Sequence, residues 1–110
     1  MMKYTLLTLF MFLSLLCHGQ SYKFFTTDRE LSSSLINKIY QDRNGMIWIA
    51  TEDGLNRYDG AKFVIYKHDP ENEHSLCHNY VRALYEDSKG RLFVGTYNGI
   101  QLYDPATDSF

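Results

Sequence analysis

The sequence predicts an all-β protein made of repeated, four-stranded antiparallel sheets. The chain repeats itself at an offset of 45 residues: residues 31–61 align with residues 76–106 without a gap and with nine identical pairs. Each copy alternates short runs rich in β-branched and aromatic residues with turns that contain Asp, Asn and Gly. Repeats of about 40–50 residues with several strands each are typical of propeller blades, whose sheet faces are buried only by stacking. The predicted fold is therefore an incomplete β-propeller of about two blades, where closed rings have ~4–8.

The first 19 residues have the three parts of a secretory signal peptide. Lys3 supplies a positive start, residues 4–16 form an apolar run, and small residues precede the cleavage site after Gly19. The run is shorter than the roughly 20 apolar residues that a membrane-spanning helix needs. The sequence therefore predicts export with cleavage, and a lipid anchor at Cys17 or an uncleaved anchor are the alternatives.

Residues 20–67 are predicted to hold a single outer strand followed by the first blade. Within residues 20–34, the aromatic run at 22–26 predicts a strand that lacks its own sheet, and a serine-rich loop follows it. Residues 35–67 predict the first blade, with strands at 35–40, 46–50, 55–58 and 62–66. The turns between these strands carry Asp-Gly pairs or an Asp followed three residues later by Gly, the residue types that tight hairpins favour.

Residues 68–110 are predicted to form a polar connector and a second, incomplete blade. The connector spans residues 68–79, and strands are predicted at 80–85, 91–95 and 100–103. The last turn, Asp104-Pro105-Ala106-Thr107-Asp108, departs from the repeat and is longer than its counterpart. The sequence given ends at Phe110, where the fourth strand of this blade is expected to begin.

Charge and composition exclude several classes of function. The net charge of −2 becomes −3 once Lys3 leaves with the signal peptide, and no basic cluster is present. Nucleic-acid binding therefore has no electrostatic basis. Cys77 is the cysteine that remains after cleavage, and we interpret it as a small residue in a loop. An intermolecular disulfide or a reactive thiol are the alternatives. No paired carboxylates suit glycoside hydrolysis, so a glycosidase or lyase is disfavoured.

Residues with possible chemistry mostly predict structural roles. Asp42 and Asp87 predict turns, because a calcium loop needs alternating oxygen ligands and a later Glu that both copies lack. Thr51 and Thr96 predict local hydrogen bonds near strand ends, since no His–acid pair is placed to activate them. The spacing of the three connector histidines matches no zinc motif. The sequence therefore predicts no metal and no cofactor.

Trp48 and Phe93 occupy equivalent strand centres and predict packing between blades, with a sugar-stacking platform as the alternative. The repeat around them resembles the two-component regulator propeller repeat, and the second copy has Phe93 where that pattern has Trp. The matching positions of the first copy are Leu31-Ser32, Gln41-Asp42, Gly45, Trp48-Ile49-Ala50-Thr51, Gly54-Leu55 and Tyr58-Asp59.

The resemblance implies a periplasmic, ligand-sensing segment of a hybrid two-component histidine kinase, many of which detect carbohydrate fragments. It implies a non-catalytic segment, here a truncated N-terminal fragment, whose parent is anchored in the inner membrane and carries the kinase. The implied partners are an oligosaccharide, the remaining blades and kinase, and a second copy in a homodimer of the parent. The alternative is a stand-alone secreted β-repeat protein that assembles through strand or blade contacts and has no kinase partner.

If the propeller binds a ligand, its geometry places the candidate residues on the loops at one face of the ring, and sensor families vary such loops most. Asn56 and Arg57 form the most ligand-like pair. The full set is Glu52, Asp53, Asn56, Arg57, Tyr97, Asn98 and Gln101.

Overall fold

A computed structural model describes Phe25 and residues 30–110. This part of the chain forms two antiparallel sheets, of order β1-β2-β3-β4 and β5-β6-β7. The strands are β1 (Ile36–Gln41), β2 (Ile47–Thr51), β3 (Gly54–Tyr58), β4 (Phe63–Tyr66), β5 (Val81–Glu86), β6 (Leu92–Thr96) and β7 (Gly99–Leu102). Each strand lies within one residue of its predicted bounds, and the all-β prediction is confirmed. None of the described residues forms a helix long and apolar enough to cross a membrane.

The predicted signal peptide lies outside the described residues. So does the predicted strand at 22–26, except for Phe25. The ring of Phe25 makes edge contacts with Tyr58 and Phe63, with centroid distances of 5.0 and 4.9 Å. An aromatic side chain from this region therefore packs on the face of the first sheet that is turned away from the second.

The β1–β2 and β5–β6 turns show why each copy has Asp three residues before Gly. The Gly45 amide donates to the Asp42 carbonyl at 3.0 Å, and Gly45 has a φ of 86°. The Asp42 carboxylate accepts the amides of Asn44 and Met46 at 2.9 and 3.0 Å. Asp87 makes the corresponding hydrogen bonds in the second sheet. The predicted turn-forming role of both aspartates is confirmed.

Aspartate carboxylates accept backbone amides in the turns of this fold, so we expect acid to weaken the fold. The Arg91 amide, donating to Asp87, lowers the pKa of that carboxyl below 3.8, and the Lys62 amide does the same for Asp59. A folded-state pKa below the unfolded value means that the stabilisation is present above the unfolded pKa and is lost as the pH falls through the folded pKa. We expect the unfolding midpoint to fall as the pH drops below about 4, and Asp87→Asn to reduce this slope.

Thermal unfolding followed by circular dichroism between pH 6 and pH 2 measures this effect. Glu71→Gln is the matched control, because the Glu71 carboxylate accepts no hydrogen bond within the described part of the chain. An acid slope that Asp87→Asn leaves unchanged would contradict the assignment.

The two sheets stack through opposite faces of the repeat. Residues that pair directly across antiparallel strands share a face; Trp48 pairs with Arg57 and lies on the inner face of the first sheet, whereas Ile49 lies on the other. In the second sheet the inner residue is Val94, the counterpart of Ile49, and it is fully buried. The core between the sheets consists of Trp48, Ala50, Leu55, Tyr66, Leu76, Val81, Leu84, Leu92, Val94 and Tyr103.

This arrangement leaves some apolar side chains exposed on the outer face of each sheet, although Ile49 and Tyr58 on the outer face of the first sheet are buried. On the second sheet, Tyr85 is 64 % exposed and Ile100 is 77 % exposed. On the first sheet, Ile39 is 59 % exposed, on the opposite face of the repeat. Because the inner faces already pack in this head-to-tail sense, both exposed faces have the character needed to receive a further blade.

The connector and the chain after β7 are more ordered than polar composition indicates. Leu76 is completely buried, and Nδ1 of His68 lies 2.8 Å from its carbonyl oxygen. After β7, an antiparallel bridge between Asp104 and Ser109 closes a loop, and the Phe110 amide donates to the connector at His74. The end of the loop is therefore joined to the connector by a backbone hydrogen bond.

Candidate functional site

Two predicted ligand residues, Asn56 and Gln101, hold the loop that precedes each blade. The Asn56 side chain accepts the Ser32 amide at 3.0 Å, and Gln101 accepts the Cys77 amide at 2.8 Å. Asn56 is completely buried, and its Nδ2 donates to the Ser32 hydroxyl at 2.8 Å. Ser32 and Cys77 are themselves 45 residues apart, so the repeat contains the signal for this contact. Both amide side chains serve structural hydrogen bonds in this structure.

Thr51 and Thr96 close the β2–β3 and β6–β7 turns, as predicted. The Thr51 hydroxyl donates to the Gly54 carbonyl at 2.7 Å and accepts the Asp53 amide at 3.1 Å. Thr96 makes the same pair of bonds, with the Asn98 amide as its donor at 3.1 Å. The predicted local hydrogen bonds are confirmed.

Glu52 and Tyr97 are brought together at the connector end of the two blades. The Tyr80 ring stacks on Tyr97 with a centroid distance of 4.0 Å and an interplanar angle of 5°, and the Tyr80 hydroxyl donates to Glu52 at 2.9 Å. Hydrogen bonding raises the pKa of Tyr80 to about 12, with Tyr97 as the larger contributor and Glu52 as the next. The Arg82 guanidinium lies 4.9 Å from the Tyr97 ring centroid. We call Glu52, Tyr80, Arg82 and Tyr97 the connector-end cluster.

Asp53 and Asn98 occupy equivalent turns at the same end. Asp53 forms an ion pair with Lys67 at 3.0 Å, and both side chains are about half exposed. Nδ2 of Asn98 lies 3.4 Å from the Cys77 carbonyl oxygen. Four of the seven predicted ligand residues, Glu52, Asp53, Tyr97 and Asn98, therefore share this end of the blades.

Arg57 lies toward the opposite end and on the opposite face of β3 from Asn56, because neighbouring residues of a strand alternate in direction. The structure therefore separates the pair that the sequence suggested. Arg57 donates through Nη1 to the Tyr103 hydroxyl at 2.7 Å and to the Asp108 carboxylate at 3.1 Å. Its guanidinium carbon lies 5.8 Å from the ring centroid of Trp48.

Asp108, the partner of Arg57, lies in the non-repeating loop, so the repeat pattern could not reveal it. It accepts the hydroxyls of Tyr66 and Tyr103 at 2.5 and 2.6 Å. Burial raises the pKa of the Asp108 carboxyl, but hydrogen bonds from the two tyrosines and the charge of Arg57 outweigh it and lower the pKa overall. Burial and the Asp108 hydrogen bond raise the pKa of Tyr66.

Trp48 itself is a packing residue. It is 1 % exposed, its ring contacts Tyr66 and Tyr103, and its Nε1 donates to the Asp42 carboxylate at 2.8 Å. The predicted packing between blades is confirmed for Trp48, whose ring has too little open surface to be a sugar-stacking platform. For Phe93 this prediction is wrong within the two described sheets, because Phe93 lies on the outer face of the second sheet. Among the described residues, no group of three or more His, Cys, Asp or Glu side chains is placed to hold a metal ion.

Comparison with known proteins finds one family whose repeat matches a segment of each blade. The two component regulator propeller family matches residues 30–53 and 75–98, which span the opening loop and first two strands of each blade. The chain therefore carries two copies of the two-component regulator propeller repeat. The same 45-residue offset that aligns the two copies separates the two matches.

Two known proteins resemble this propeller segment. Histidine kinase P4 of Formosa agariphila is 41 % identical over 72 residues, which cover 62 % of this chain and 5 % of that kinase. The extracellular domain of a protein assigned as a one-component system in B. thetaiotaomicron aligns with a TM-score of 0.64 and 24 % identity, over 81 % of this chain and 13 % of that one. The chain thus spans a small fraction of the length of either protein, and the structural likeness supports the propeller fold.

Proposed function

We propose that the chain forms two blades of the ligand-sensing propeller of a periplasmic, hybrid-type two-component histidine kinase. The observation that carries the proposal is the pair of family matches, one in each blade, together with the likeness to a histidine kinase. The segment is non-catalytic in this proposal. The membrane anchor, the kinase and the other blades belong to the longer parent, which signals as a homodimer.

The proposed ligand is an oligosaccharide that contacts the connector-end cluster. Sugar hydroxyls are recognised by carboxylates and amides, and aromatic side chains supply adjoining apolar surface. Glu52 offers a carboxylate there, Tyr97 is 55 % exposed, and Asn98 lies in the same turn. These groups stand on rigid hairpins, which hold them in a fixed arrangement before a ligand arrives.

The test uses the full-length parent with a phosphorylation or reporter readout, titrated with a panel of oligosaccharides. We expect Tyr97→Ala and Glu52→Gln each to raise the half-maximal concentration about tenfold, which is the loss of one or two hydrogen bonds or aromatic contacts. Glu71→Gln is the matched control on the neighbouring connector and is expected to respond as the unmodified protein does. A parent that responds to oligosaccharides equally well with all three variants would contradict the site.

The exposed blade faces favour a second candidate, a stand-alone secreted repeat protein that assembles through those faces. Ile100 and Tyr85 on one side and Ile39 on the other would then be covered by other copies. This candidate needs no kinase. It becomes the better hypothesis if the reading frame that encodes the chain supplies neither further blades nor a kinase.

A further inference from the structure

A cavity of about 500 Å³ lies between the two blades, at the end opposite the connector-end cluster. Both blades contribute to its wall, so the stacking of the sheets creates it. The lining includes Asp42, Trp48, Arg57, Glu86, Lys89 and Arg91. This volume falls within the range of about 300–1,000 Å³ that small-molecule sites occupy.

Arg57 is held in place in the cavity wall with donors to spare. Its side chain is 21 % exposed, and Nη1 is fixed by Tyr103 and Asp108. Within the described part of the chain, Nε and Nη2 of Arg57 have no acceptor. A guanidinium that is already ordered loses less entropy on binding, and its planar donors match the two oxygens of a carboxylate.

The two carboxylates of the lining already have partners. Asp42 binds the Trp48 indole and two backbone amides, and Glu86 accepts the Tyr40 hydroxyl and the Arg43 amide.

The other cations of the lining keep free donors. The Lys89 ammonium has no acceptor among residues 30–110, and Arg91 uses only Nε, on Asp87. The groups left to meet a ligand are therefore donors with positive charge, which attract an anion.

We infer that this inter-blade cavity binds a small carboxylate-bearing molecule, with Arg57 as the group that contacts the carboxylate and Lys89 adding charge at the rim. The inference concerns a different site from the connector-end cluster and does not depend on coupling to a kinase. It can therefore hold or fail separately from the proposed function.

The chain provides its own probe, because Trp48 is its single tryptophan and lines the cavity. Residues 20–110, the chain without its predicted signal peptide, are titrated with glucuronate while tryptophan fluorescence is recorded. Glucose serves as the neutral molecule of similar shape, and sulfate as an anion of different geometry. We expect a saturable change with glucuronate, a change at least about tenfold weaker with sulfate, and none with glucose. An equal response to glucose, or an equal response to sulfate, would overturn the carboxylate assignment.

Variants then locate the response. Arg57→Met is expected to weaken glucuronate binding about tenfold or more, and Arg57→Lys, which keeps the charge but not the planar fork, to weaken it nearly as much. Lys62→Met is the control and should leave the affinity unchanged, because that exposed lysine lies outside the cavity lining. If Arg57→Met fails to fold, Lys89→Gln on the exposed rim takes its place, with an expected loss of two- to threefold. Unchanged affinity in the folded Arg57 or Lys89 variants would contradict the inference.

Discussion

Replacing Trp48 by alanine is expected to destabilise the folded chain by about 3–5 kcal/mol, the usual cost of removing a large buried aromatic side chain. The ring is 1 % exposed and packs against Tyr66 and Tyr103 in the core that joins the two sheets. Its loss would also leave the Asp42 carboxylate without the indole donor. Because this residue belongs to the interface between blades, the variant should lose the stacking of the sheets together with local packing.

Urea unfolding followed by far-ultraviolet circular dichroism, at one fixed protein concentration, measures this loss. Phe93→Ala is the matched control, because Phe93 occupies the same position of the repeat but is only partly buried, on the open face of the second sheet. We expect it to cost less than half as much. Trp48→Phe keeps an aromatic ring of smaller size and removes the hydrogen bond to the Asp42 carboxylate, and should cost about 1.5–3 kcal/mol. Equal losses for the Trp48 and Phe93 alanine variants would contradict the assigned core.

Gly54→Ala is expected to be far more damaging than Gly99→Ala, although the two glycines occupy the same position of the repeat. Their φ angles are 123° and 124°, a region that residues with side chains rarely adopt, so any side chain has a similar backbone cost at both sites, roughly 1–3 kcal/mol. At Gly54 an added Cβ would also lie 2.9 Å from the Tyr66 carbonyl oxygen. At Gly99 nothing lies within 4 Å of it.

The difference between the two variants isolates the steric contribution. Overpacking costs about 1–3 kcal/mol, so Gly54→Ala should exceed Gly99→Ala by roughly that amount in the free energy of unfolding. The same urea titration serves for both proteins. A difference near zero would mean that β4 does not approach Gly54 as closely as the structure shows.

Local rules account for the success of the strand predictions. The Asp-to-Gly turns at Asp42 and Asp87 are closed by hydrogen bonds within five residues, and alternation of apolar residues identifies strands without knowledge of their partners. The threonines at the ends of β2 and β6 follow the same logic. Each of these contacts is short in sequence, so the residue types that form it stand next to one another in the chain.

The candidate site was less accessible to sequence reasoning. Asn56 and Arg57 are adjacent in the chain, yet they lie on opposite faces of β3. Asn56 therefore hydrogen-bonds the loop before β1, and Arg57 lines the cavity. Asp108 joins Arg57 from a distance of 51 residues, in a loop that is longer than its counterpart in the first copy. The predictions for Glu52 and Tyr97 as ligand residues stay predictions, although the structure places both at one end of the blades.

The sequence by itself determined the repeat, the strands, the turns and the resemblance to a known propeller repeat, because each depends on residues that are neighbours in the chain or recur at a fixed offset. Only the tertiary structure decided which face of each sheet packs against the other sheet, since the same position of the repeat points away from the partner sheet as Ile49 and toward it as Val94. It also decided where the cavity forms and which donors of Arg57 stay free. These features arise when one sheet stacks on the next. Stacking brings together residues that are far apart in the sequence, and local sequence patterns do not show which of them will meet.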